Sequence, residues 1–209
     1  MPDLILLRHG QSLWNKENRF TGWVDVDLSE KGEKEAHRAG ELLAGRRIDA
    51  LFTSVLTRAM RTAEIALGES GHAALVATRD ECLNERHYGD LQGLDKEETR
   101  QKHGAEQVHT WRRSFDVRPP GEDGESLEMT IGRVLPYYHE SIEPLLLAGK
   151  NVIVVAHGNS LRALRYHLDQ HTEESIVKLE IPTGVPIVYD LEINDDRLTV
   201  VGSKRLGTE

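Results

Sequence analysis

The stretch Leu4-Ile5-Leu6-Leu7-Arg8-His9-Gly10-Gln11-Ser12 decides the fold of this chain, because an unbroken aliphatic run passes directly into a polar turn. A short aliphatic run without polar alternation is typical of a strand covered by helices on both faces. The pattern returns at residues 152–160, where a second run ends in Ala156-His157-Gly158-Asn159-Ser160. Two such strands predict a mostly parallel sheet with His9 and His157 at its carboxyl edge, where open α/β sheets bind ligands.

The rest of the chain supplies weaker strands and several helices. Further strands are predicted at Ala50–Phe52, Ala74–Val76, Val185–Leu191 and Leu198–Val201. Helices are predicted after the N-caps Ser29, Ser54 and Ser126 and from Asn159 or Ser160, with Pro136 and Pro144 bending the third. This alternation predicts an α/β three-layer sandwich, in which a mostly parallel central sheet is flanked by helices.

Residues 80–125 interrupt the alternation, because they hold charged helical stretches and no strand pattern. The turn-forming residues from Pro119-Pro120-Gly121 to Gly124 close this region. The pattern predicts a helical cap insertion over the edge of the sheet. A length of 209 residues suits one domain, so we predict a single α/β domain over residues 1–209 with a cap subregion at about 80–125.

The composition excludes several classes of partner. A net charge of −9 argues against nucleic acid or an anionic membrane surface. The apolar run Val152–Ala156 is too short to span a bilayer, and the first residues lack the pattern of a secretory signal. The single cysteine, Cys82, excludes an internal disulfide and a multi-cysteine metal cage. We therefore expect a cytoplasmic protein without a membrane partner.

The two His-Gly turns allow three interpretations. The histidines could be packed core residues, but their repetition at two strand ends disfavours this. They could be metal ligands, yet the first has the cation Arg8 as its neighbour, which would repel a metal ion. They could act on a phosphoryl group, where Arg8 would bind phosphate oxygens in a bidentate fork. The third interpretation is favoured, with one histidine as the nucleophile and the other as the stabilising group.

Other cations and histidines divide into site candidates and surface residues. Arg58 lies one turn into the helix after the second strand, and Lys96, Arg112 and Arg113 lie in the cap. These four are expected to reach the site. A surface position is predicted for Arg61, Arg100, Arg133, His37, His103, His109 and His139, and a solvated helix end for His167 and His171.

Phosphoryl transfer to or from a hydroxyl needs a group that takes up and returns a proton. Glu85 is the candidate, because it lies where the strand pattern stops, among titratable and aromatic residues. Burial beside a phosphate is predicted to raise the pKa of Glu85. A surface ion pair with Arg86 is the alternative, and spacing alone does not decide between the two.

The chain resembles the cofactor-dependent phosphoglycerate mutases, a branch of the histidine phosphatase superfamily. The resemblance covers nearly the whole chain. It rests on Leu7-Arg8-His9-Gly10 with Ser12, residues 14–23, Leu83 to Gly89 with Leu91-Gln92-Gly93-Leu94, Trp111-Arg112-Arg113, Ala156 to Ala163, and Ile181-Pro182-Thr183-Gly184-Val185-Pro186. The short Arg-His-Gly motif alone is moderately specific for the family, whereas these runs together are strong evidence of the resemblance.

The resemblance implies a glycolytic and gluconeogenic isomerase that interconverts 3- and 2-phosphoglycerate through a phosphohistidine. It implies His9 as the phosphoryl carrier, Glu85 as the proton donor and acceptor, His157 as the stabilising group, and Arg8 and Arg58 as catalytic cations. The substrate-binding set that it implies is Arg8, Ser12, Asn15, Thr21, Gly22, Arg58, Glu85, Arg86, Tyr88, Lys96, Arg112, Arg113, Gly158 and Asn159. It further implies priming by 2,3-bisphosphoglycerate, no metal, and a possible homodimer.

The sequence departs from longer members of this branch in two places, which leaves a second activity open. The stretch from Pro119-Pro120 to Glu125-Ser126-Leu127 is shorter than theirs, and the chain stops at Glu209, where theirs continue as a tail near the active site. These parts help to exclude water from the pocket. A phosphatase of the same superfamily, acting on a small phosphorylated acid or sugar, is therefore the alternative. A non-catalytic binding protein would be expected to lack His9, Glu85 or His157.

Overall fold

The computed structural model describes residues 1–207, and Glu209, where the sequence departs from longer relatives, lies outside them. One sheet organises the described chain. Its strands are β1 (Asp3–Arg8), β2 (Ala50–Thr53), β3 (Ala77–Arg79), β4 (Val152–Ala156), β5 (Ile187–Asn194) and β6 (Arg197–Arg205). Their spatial order is β3-β2-β4-β1-β5-β6, in which the first four are parallel and β5 and β6 are antiparallel to their neighbours.

Helices fill the intervals between the strands. They are α1 (Leu13–Lys16), α2 (Glu30–Leu43), α3 (Thr57–Glu69), α4 (Lys96–His103), α5 (Ala105–Arg113), α6 (Leu127–Tyr137), α7 (Glu143–Leu147), α8 (Gly158–Leu168) and α9 (Glu173–Ile176). Short 3₁₀ turns lie at Glu81–Leu83 and Gly89–Leu91. Among residues 1–207, no helix combines the length and the apolar character that a membrane crossing requires.

The two faces of the sheet bury separate apolar clusters, because successive side chains on a strand point to opposite faces. In β1, Ile5 and Leu7 join the cluster under α2 and α3, whereas Leu4 and Leu6 join the cluster under α6 and α8. Both faces are therefore covered, as the unbroken aliphatic runs predict. The three-layer α/β sandwich with a mostly parallel sheet and a helical cap is confirmed.

Most element boundaries lie close to the predictions, and three differ from them. Ser29 and Ser126 cap α2 and α6, each accepting a backbone N–H bond. The strand predicted at Ala74–Val76 is displaced to Ala77–Arg79, because residues 72–75 form the turn that brings the chain back to the sheet.

Ser54 does not cap α3, contrary to the prediction. The helix begins at Thr57, whose backbone N–H and hydroxyl donate to the carboxylate of Asp25 over 2.7 Å each. The Ser54 hydroxyl instead contacts His157 Nε2 at 2.7 Å. Similarly, α8 begins at Gly158, with His157 as its N-cap. As a result, Ser54 and His157 both lie outside their helices, at the carboxyl edge of the sheet.

The helix after Ser126 is interrupted by a π-helical turn over Tyr138–Ile142. Pro144 follows this turn at the beginning of α7 and has no N–H to continue the α-helical bonding pattern. A bend at Pro136 and Pro144 was predicted; the α-helical pattern instead continues through Pro136 and is interrupted between the two prolines. The turn points His139 toward the end of α8, where its ring lies near His167.

The cap carries a small apolar core of its own. Phe20, Leu91 and Val108 are buried together, and Tyr88 and Trp111 pack against them. This cluster joins the loop after α1 to α5 and so fixes the cap above the carboxyl edge. Cationic side chains of α4 and α5 are thereby held over the ends of β1 and β4.

Candidate active site

The parallel pairing of β1 and β4 brings the two predicted histidines together. Arg8 lies opposite Ala156 in the register, so the next residue of each strand is His9 and His157. The His9 backbone N–H donates to the Ala156 carbonyl over 3.0 Å. The ring centroids are 4.9 Å apart, with 58° between the ring planes. The repeated His-Gly turn therefore correctly predicted one shared position at the sheet edge.

The orientation of His9 leaves one ring nitrogen free to react. Its Nδ1 lies 2.6 Å from the Gly10 carbonyl oxygen, which can only accept, so Nδ1 carries the proton and Nε2 keeps its lone pair. Burial, and then the charges of Arg58 and Arg8, hold the pKa of His9 well below its ordinary value. His9 is 3% exposed and lines the cavity, so it is a neutral imidazole that can act as a nucleophile.

The glycine after His9 is required by the approach of two backbones. A Cβ atom on Gly10 would lie 2.2 Å from the carbonyl oxygen of Gly32 in α2, which no side chain can adopt. Gly158 differs, since its added Cβ would meet Arg8 and Glu85 only at 3.6 Å. A close backbone approach therefore requires glycine at position 10, whereas an added Cβ atom at Gly158 would make only ordinary van der Waals contacts.

His157 is fully buried beside His9. Its Nε2 pairs with the Ser54 hydroxyl, and its Nδ1 has no partner among residues 1–207. Burial, followed by the charge of Arg58, holds the pKa of His157 well below its ordinary value. A buried polar atom without a partner is uncommon in folded proteins. The second histidine is therefore positioned to meet a ligand atom.

Two arginines surround the histidine pair. Arg58 is 1% exposed, and its guanidinium donates to the carbonyls of Gly22 at 2.7 Å and Val24 at 3.0 Å. Burial lowers the pKa of Arg58 to about 10, so the side chain stays charged at neutral pH. Arg8 donates to the Ile181 carbonyl over 2.8 Å. The Nε atoms of both arginines lack a partner among the described residues, which leaves two charged donors available.

Glu85 lies across the cavity from this group and is held as a carboxylate. Its Oε1 accepts from the Arg86 backbone N–H at 2.8 Å, and from the backbone and side-chain amides of Asn159 at 3.0 and 2.9 Å. Burial alone would raise the pKa of Glu85, but the Arg86 bond and the Arg8 charge outweigh it, and the pKa lies below its ordinary value. The predicted rise is therefore wrong, because these contacts outweigh the effect of burial. The alternative of a surface ion pair with Arg86 is also wrong.

Arg133 was predicted to be a surface residue, and this is wrong. Its side chain is 18% exposed and pairs with Glu125 at 2.8 Å. It also donates to the carbonyls of Cys82, Asn84 and Glu85. Arg133 thus fixes the loop that carries Glu85, a role that depends on four distant partners. By contrast, six other residues predicted to lie on the surface are exposed or keep a large exposed fraction: Arg61, Arg100, His37, His103, His109 and His139.

A cavity of about 190 Å³ joins these groups to the cap. It is lined by Arg8, His9, Asn15, Arg19, Phe20, Thr21, Gly22, Arg58, Glu85, Tyr88, Lys96, Arg112, Arg113, Gly158, Asn159, Arg162 and Glu180. We call Arg8, His9, Arg58 and His157 the inner end. The outer end comprises Lys96, Arg112, Arg113, Arg162 and Glu180. Both ends carry positive charge, so the cavity is suited to a small molecule with two anionic groups.

Two residues of the expected binding set lie behind the wall. Ser12 is fully buried, and its hydroxyl caps α1 by accepting from the Asn15 N–H at 3.1 Å. Arg86 is also fully buried and donates to the Arg112 carbonyl at 2.9 Å and the Tyr88 hydroxyl at 3.2 Å. Both therefore hold lining residues in place from behind. The other expected binding residues line the cavity.

Four lining residues were missed by the sequence analysis: Arg19, Phe20, Arg162 and Glu180. Arg162 follows Asn159 by three residues on α8 and donates to its side-chain carbonyl over 2.9 Å, so helical spacing could have found it. Glu180 pairs with Arg113 at 2.5 Å and lies 3.9 Å from Arg162. No sequence signal marks an acidic residue at the mouth of a cationic cavity.

The outer end keeps its cations partly dehydrated. The Lys96 ammonium and the Arg112 guanidinium lie 5.7 and 6.0 Å from the buried ring of Phe20. Burial, and then the charge of Arg112, lowers the pKa of Lys96 to about 8. Lys96 is therefore mostly charged at neutral pH and loses that charge in mildly alkaline solution.

Comparisons with known proteins agree with this geometry. A sequence model described as histidine phosphatase superfamily (branch 1) matches residues 4–204. The chain is 54% identical to a 2,3-bisphosphoglycerate-dependent phosphoglycerate mutase of Sphingopyxis alaskensis, covering 94% of this chain and 95% of that protein. It is 49% identical to 2,3-bisphosphoglycerate-dependent phosphoglycerate mutase 2 of Lactiplantibacillus plantarum, over 99% and 100% of the two chains.

A solved structure of a mycobacterial glucosyl-3-phosphoglycerate phosphatase has the same fold. The TM-score is 0.80 and the identity 27%, covering 100% of this chain and 99% of that one. Its fold agrees with the sandwich described above, and its sequence is more distant than those of the two mutases. The family match over residues 4–204 and the near-complete coverage of both mutases place the chain in branch 1 of the histidine phosphatase superfamily, among the 2,3-bisphosphoglycerate-dependent phosphoglycerate mutases.

Proposed function

We propose that this protein interconverts 3-phosphoglycerate and 2-phosphoglycerate, with His9 carrying the phosphoryl group between the two hydroxyls. One observation carries the proposal. The free Nε2 of His9 faces a site where Arg8 Nε, Arg58 Nε and His157 Nδ1 are buried without partners among the described residues. Charged donors that lack partners inside a protein are best explained by an anionic ligand that completes them.

The outer end supports a substrate with a second anionic group. Lys96, Arg112 and Arg113 can hold a carboxylate or a second phosphate while the first phosphate lies beside His9. Glu180 already places a carboxylate on Arg113, so a carboxylate of the substrate can make the same contact. The relatives at 54% and 49% identity are named as phosphoglycerate mutases, which agrees with this substrate class.

The names of these relatives also specify 2,3-bisphosphoglycerate. The residues present suit this molecule, because its two phosphates and its carboxylate match the unpartnered donors of the inner end and the cations of the outer end. When bound, it would supply the phosphoryl group that loads His9. We propose no metal in the reaction, since Arg8 and Arg58 already provide positive charge beside the transferring group.

The first half of the reaction uses His9 and Glu85. The P–Nε2 bond of phosphorylated His9 breaks as a P–O bond forms to the 2-hydroxyl of 3-phosphoglycerate. The hydroxyl proton moves to Glu85, which the low pKa keeps as a carboxylate ready to accept it. Arg8, Arg58 and His157 stabilise charge on the equatorial phosphoryl oxygens.

The second half reverses these roles at the other hydroxyl. The 3-phosphate comes to lie beside His9, its P–O bond breaks, and a new P–Nε2 bond forms. Glu85 returns the proton to the leaving 3-oxygen, so 2-phosphoglycerate is released and His9 is phosphorylated again. The outer cations retain the molecule between the two transfers, and the cap over them limits the access of water.

The alternative is hydrolysis, in which water receives the phosphoryl group from His9. The 27% identical solved structure is named as a phosphatase, which favours this activity as the second candidate. The inner end would serve both reactions equally. The outer cations favour the mutase, because a phosphatase does not need to hold its product for a second transfer. A homodimer and a cytoplasmic location stay predictions.

The deciding experiment measures isomerisation and hydrolysis in the same sample. A coupled assay would follow the conversion of 3- to 2-phosphoglycerate with and without 2,3-bisphosphoglycerate, while released phosphate is measured separately. We expect isomerisation that depends on the bisphosphate and far exceeds phosphate release. Phosphate release without isomerisation would replace the mutase by the phosphatase.

A labelling experiment tests the role of His9 itself. Incubation with ³²P-labelled 2,3-bisphosphoglycerate should give a protein label that is stable in alkali and labile in acid, as expected for a phosphoramidate. The His9→Gln variant should lose both the label and at least about 10⁴-fold of the activity, because the covalent route is removed. His109→Gln, at an exposed position on α5, is the matched control. A label that persisted in His9→Gln would disprove the assignment.

A further inference from the structure

A second group of histidines lies at the far end of α8, away from the cavity. His139 in the π-helical turn, Glu143 at the start of α7 and His167 in the last turn of α8 bring their side chains together. One ligand-type atom from each of the three lies within 4.8 Å of the others. The active-site chemistry does not use this group, because His167 lies nine residues along α8 from Gly158, a rise of about 14 Å.

The contacts within this group are specific. His139 Nδ1 lies 2.7 Å from the Glu143 carboxylate. The rings of His139 and His167 have centroids 5.0 Å apart and are nearly perpendicular, at 86°. Two imidazoles and one carboxylate on three different elements thus converge on a single point. Spacing along the sequence does not show this, because it pairs His167 with His171 instead.

The group lies at the rim of a cleft, with His139 and His167 exposed and Glu143 half-buried. Glu143 and His167 line a cleft of about 470 Å³ between the helices and β6, and the buried ring of Tyr138 forms part of its wall. The ring centroids of Tyr138 and His167 are 5.7 Å apart, so the wall of the cleft packs against one of the two imidazoles.

We propose that His139, Glu143 and His167 form a binding site for a divalent transition-metal ion of the Zn²⁺, Ni²⁺ or Co²⁺ class. Two imidazole nitrogens and one carboxylate oxygen are a common protein ligand set for these ions, with water completing the coordination. Metal–ligand bonds of about 2.1 Å require the three atoms to approach one another more closely than they do now. Side-chain rotation of the exposed His139 and His167 supplies this movement.

The bound ion would act as a clamp and take no part in phosphoryl transfer. It would connect the π-helical turn and α7 to the last turn of α8, the helix whose first turn carries Gly158 and Asn159 in the cavity wall. An ion that binds the folded state and not the unfolded state raises the stability of the protein. The inference is independent of the proposed function, since metal binding is measured without turnover.

The experiment titrates the full-length, metal-free protein with Zn²⁺ by calorimetry in a non-chelating buffer at neutral pH. We expect one ion per chain and a higher thermal midpoint with Zn²⁺. Each of His139→Gln and His167→Gln should weaken binding at least about 10-fold and abolish the thermal shift, because each removes one ligand. Co²⁺ should give the visible absorption band of a four- or five-coordinate site in the wild type, and neither of these two variants should show that band.

Two controls separate this site from other histidines. His37 pairs with Glu69 at 3.0 Å on the surface, so it forms a histidine–carboxylate pair outside this cluster. The variant His37→Gln should therefore bind Zn²⁺ like the wild type. His9→Gln alters the inner histidine pair and should also keep the binding event. The proposal would be overturned by any of three results. Zn²⁺ binding could be lost equally in His37→Gln, it could be lost only in His9→Gln, or it could be unchanged in both His139→Gln and His167→Gln.

Discussion

The two ends of the cavity are both cationic, but they are built in different ways. At the inner end, His9 and His157 follow directly from paired strands, and Arg58 is 1% exposed and held by two backbone carbonyls. At the outer end, Arg113 comes from a cap helix, with a side chain that is 27% exposed, and its acidic partner Glu180 is 67% exposed. The comparison indicates that the sheet fixes the residues proposed for the chemistry, whereas the residues proposed to select the substrate are more exposed side chains.

If this division holds, changes near His9 should lower kcat and changes near the cap should alter KM. The largest effect, after loss of His9 itself, is expected for Glu85→Gln. The amide keeps the size of the side chain but cannot accept the hydroxyl proton, so kcat should fall about 10²- to 10⁴-fold. Steady-state kinetics would measure this. A fall below about 10-fold would mean that another group takes the proton.

A smaller effect is expected for Arg113→Gln at the outer end. Loss of one cation should raise KM for 3-phosphoglycerate about 10-fold, because a charge-assisted contact is worth about 1.5 kcal/mol or more, while kcat changes less. Arg100→Gln on the adjacent cap helix, where the arginine pairs with Glu97 on the surface, is the control and should change neither parameter. A fall confined to kcat would break the comparison between the two ends.

The pH dependence of KM gives a further test, through Lys96. Because burial lowers the pKa of Lys96 to about 8, the free site loses one positive charge as the pH rises through that value. KM for the anionic substrate should therefore increase about 3- to 10-fold above pH 8, whereas the effect should be absent below about pH 7. In Lys96→Arg the side chain stays charged, so the increase should move to higher pH. An unchanged profile would exclude Lys96 as its source.

The smallest effect, and the only gain, is expected for Glu180→Gln. The Glu180 carboxylate occupies Arg113 and lies near Arg162, so an anionic substrate must displace it. Removing the charge should lower KM about 2- to 5-fold, which is the range of an exposed ion pair. Glu174→Gln, at an exposed position of α9, serves as the control. A higher KM would show that Glu180 helps to bind substrate.

The inner end could be predicted from the sequence, because its residues are tied to the pattern of the sheet. The aliphatic runs before His9 and His157 define β1 and β4, and parallel pairing then brings the two histidines together. The predicted strand at Ala74–Val76 was misplaced, since a turn after α3 delays the pairing to Ala77. Apolar patterns locate a strand within the chain but do not fix its first hydrogen bond.

Residues that depend on distant partners could not be predicted. Arg133 was taken for a surface residue, yet it binds three carbonyls of the loop before Arg86 and the carboxylate of Glu125. The direction of the Glu85 pKa was also missed, because it follows from hydrogen bonds that only the folded chain provides. Similarly, Ser54 has the sequence context of a helix cap. The first backbone N–H of the helix instead binds Asp25, and the Ser54 hydroxyl contacts His157.

The contact between Gly10 and Gly32 limits how this enzyme can be altered. Any side chain at position 10 would collide with the backbone of α2, so a substitution at this position requires the backbone of α2 to move. The wall formed by residues 112–113 and 180 carries no such restriction. New substrate preferences should therefore arise by exchanging residues around the mouth while the reacting centre stays constant, and selection experiments on this scaffold would be most productive there.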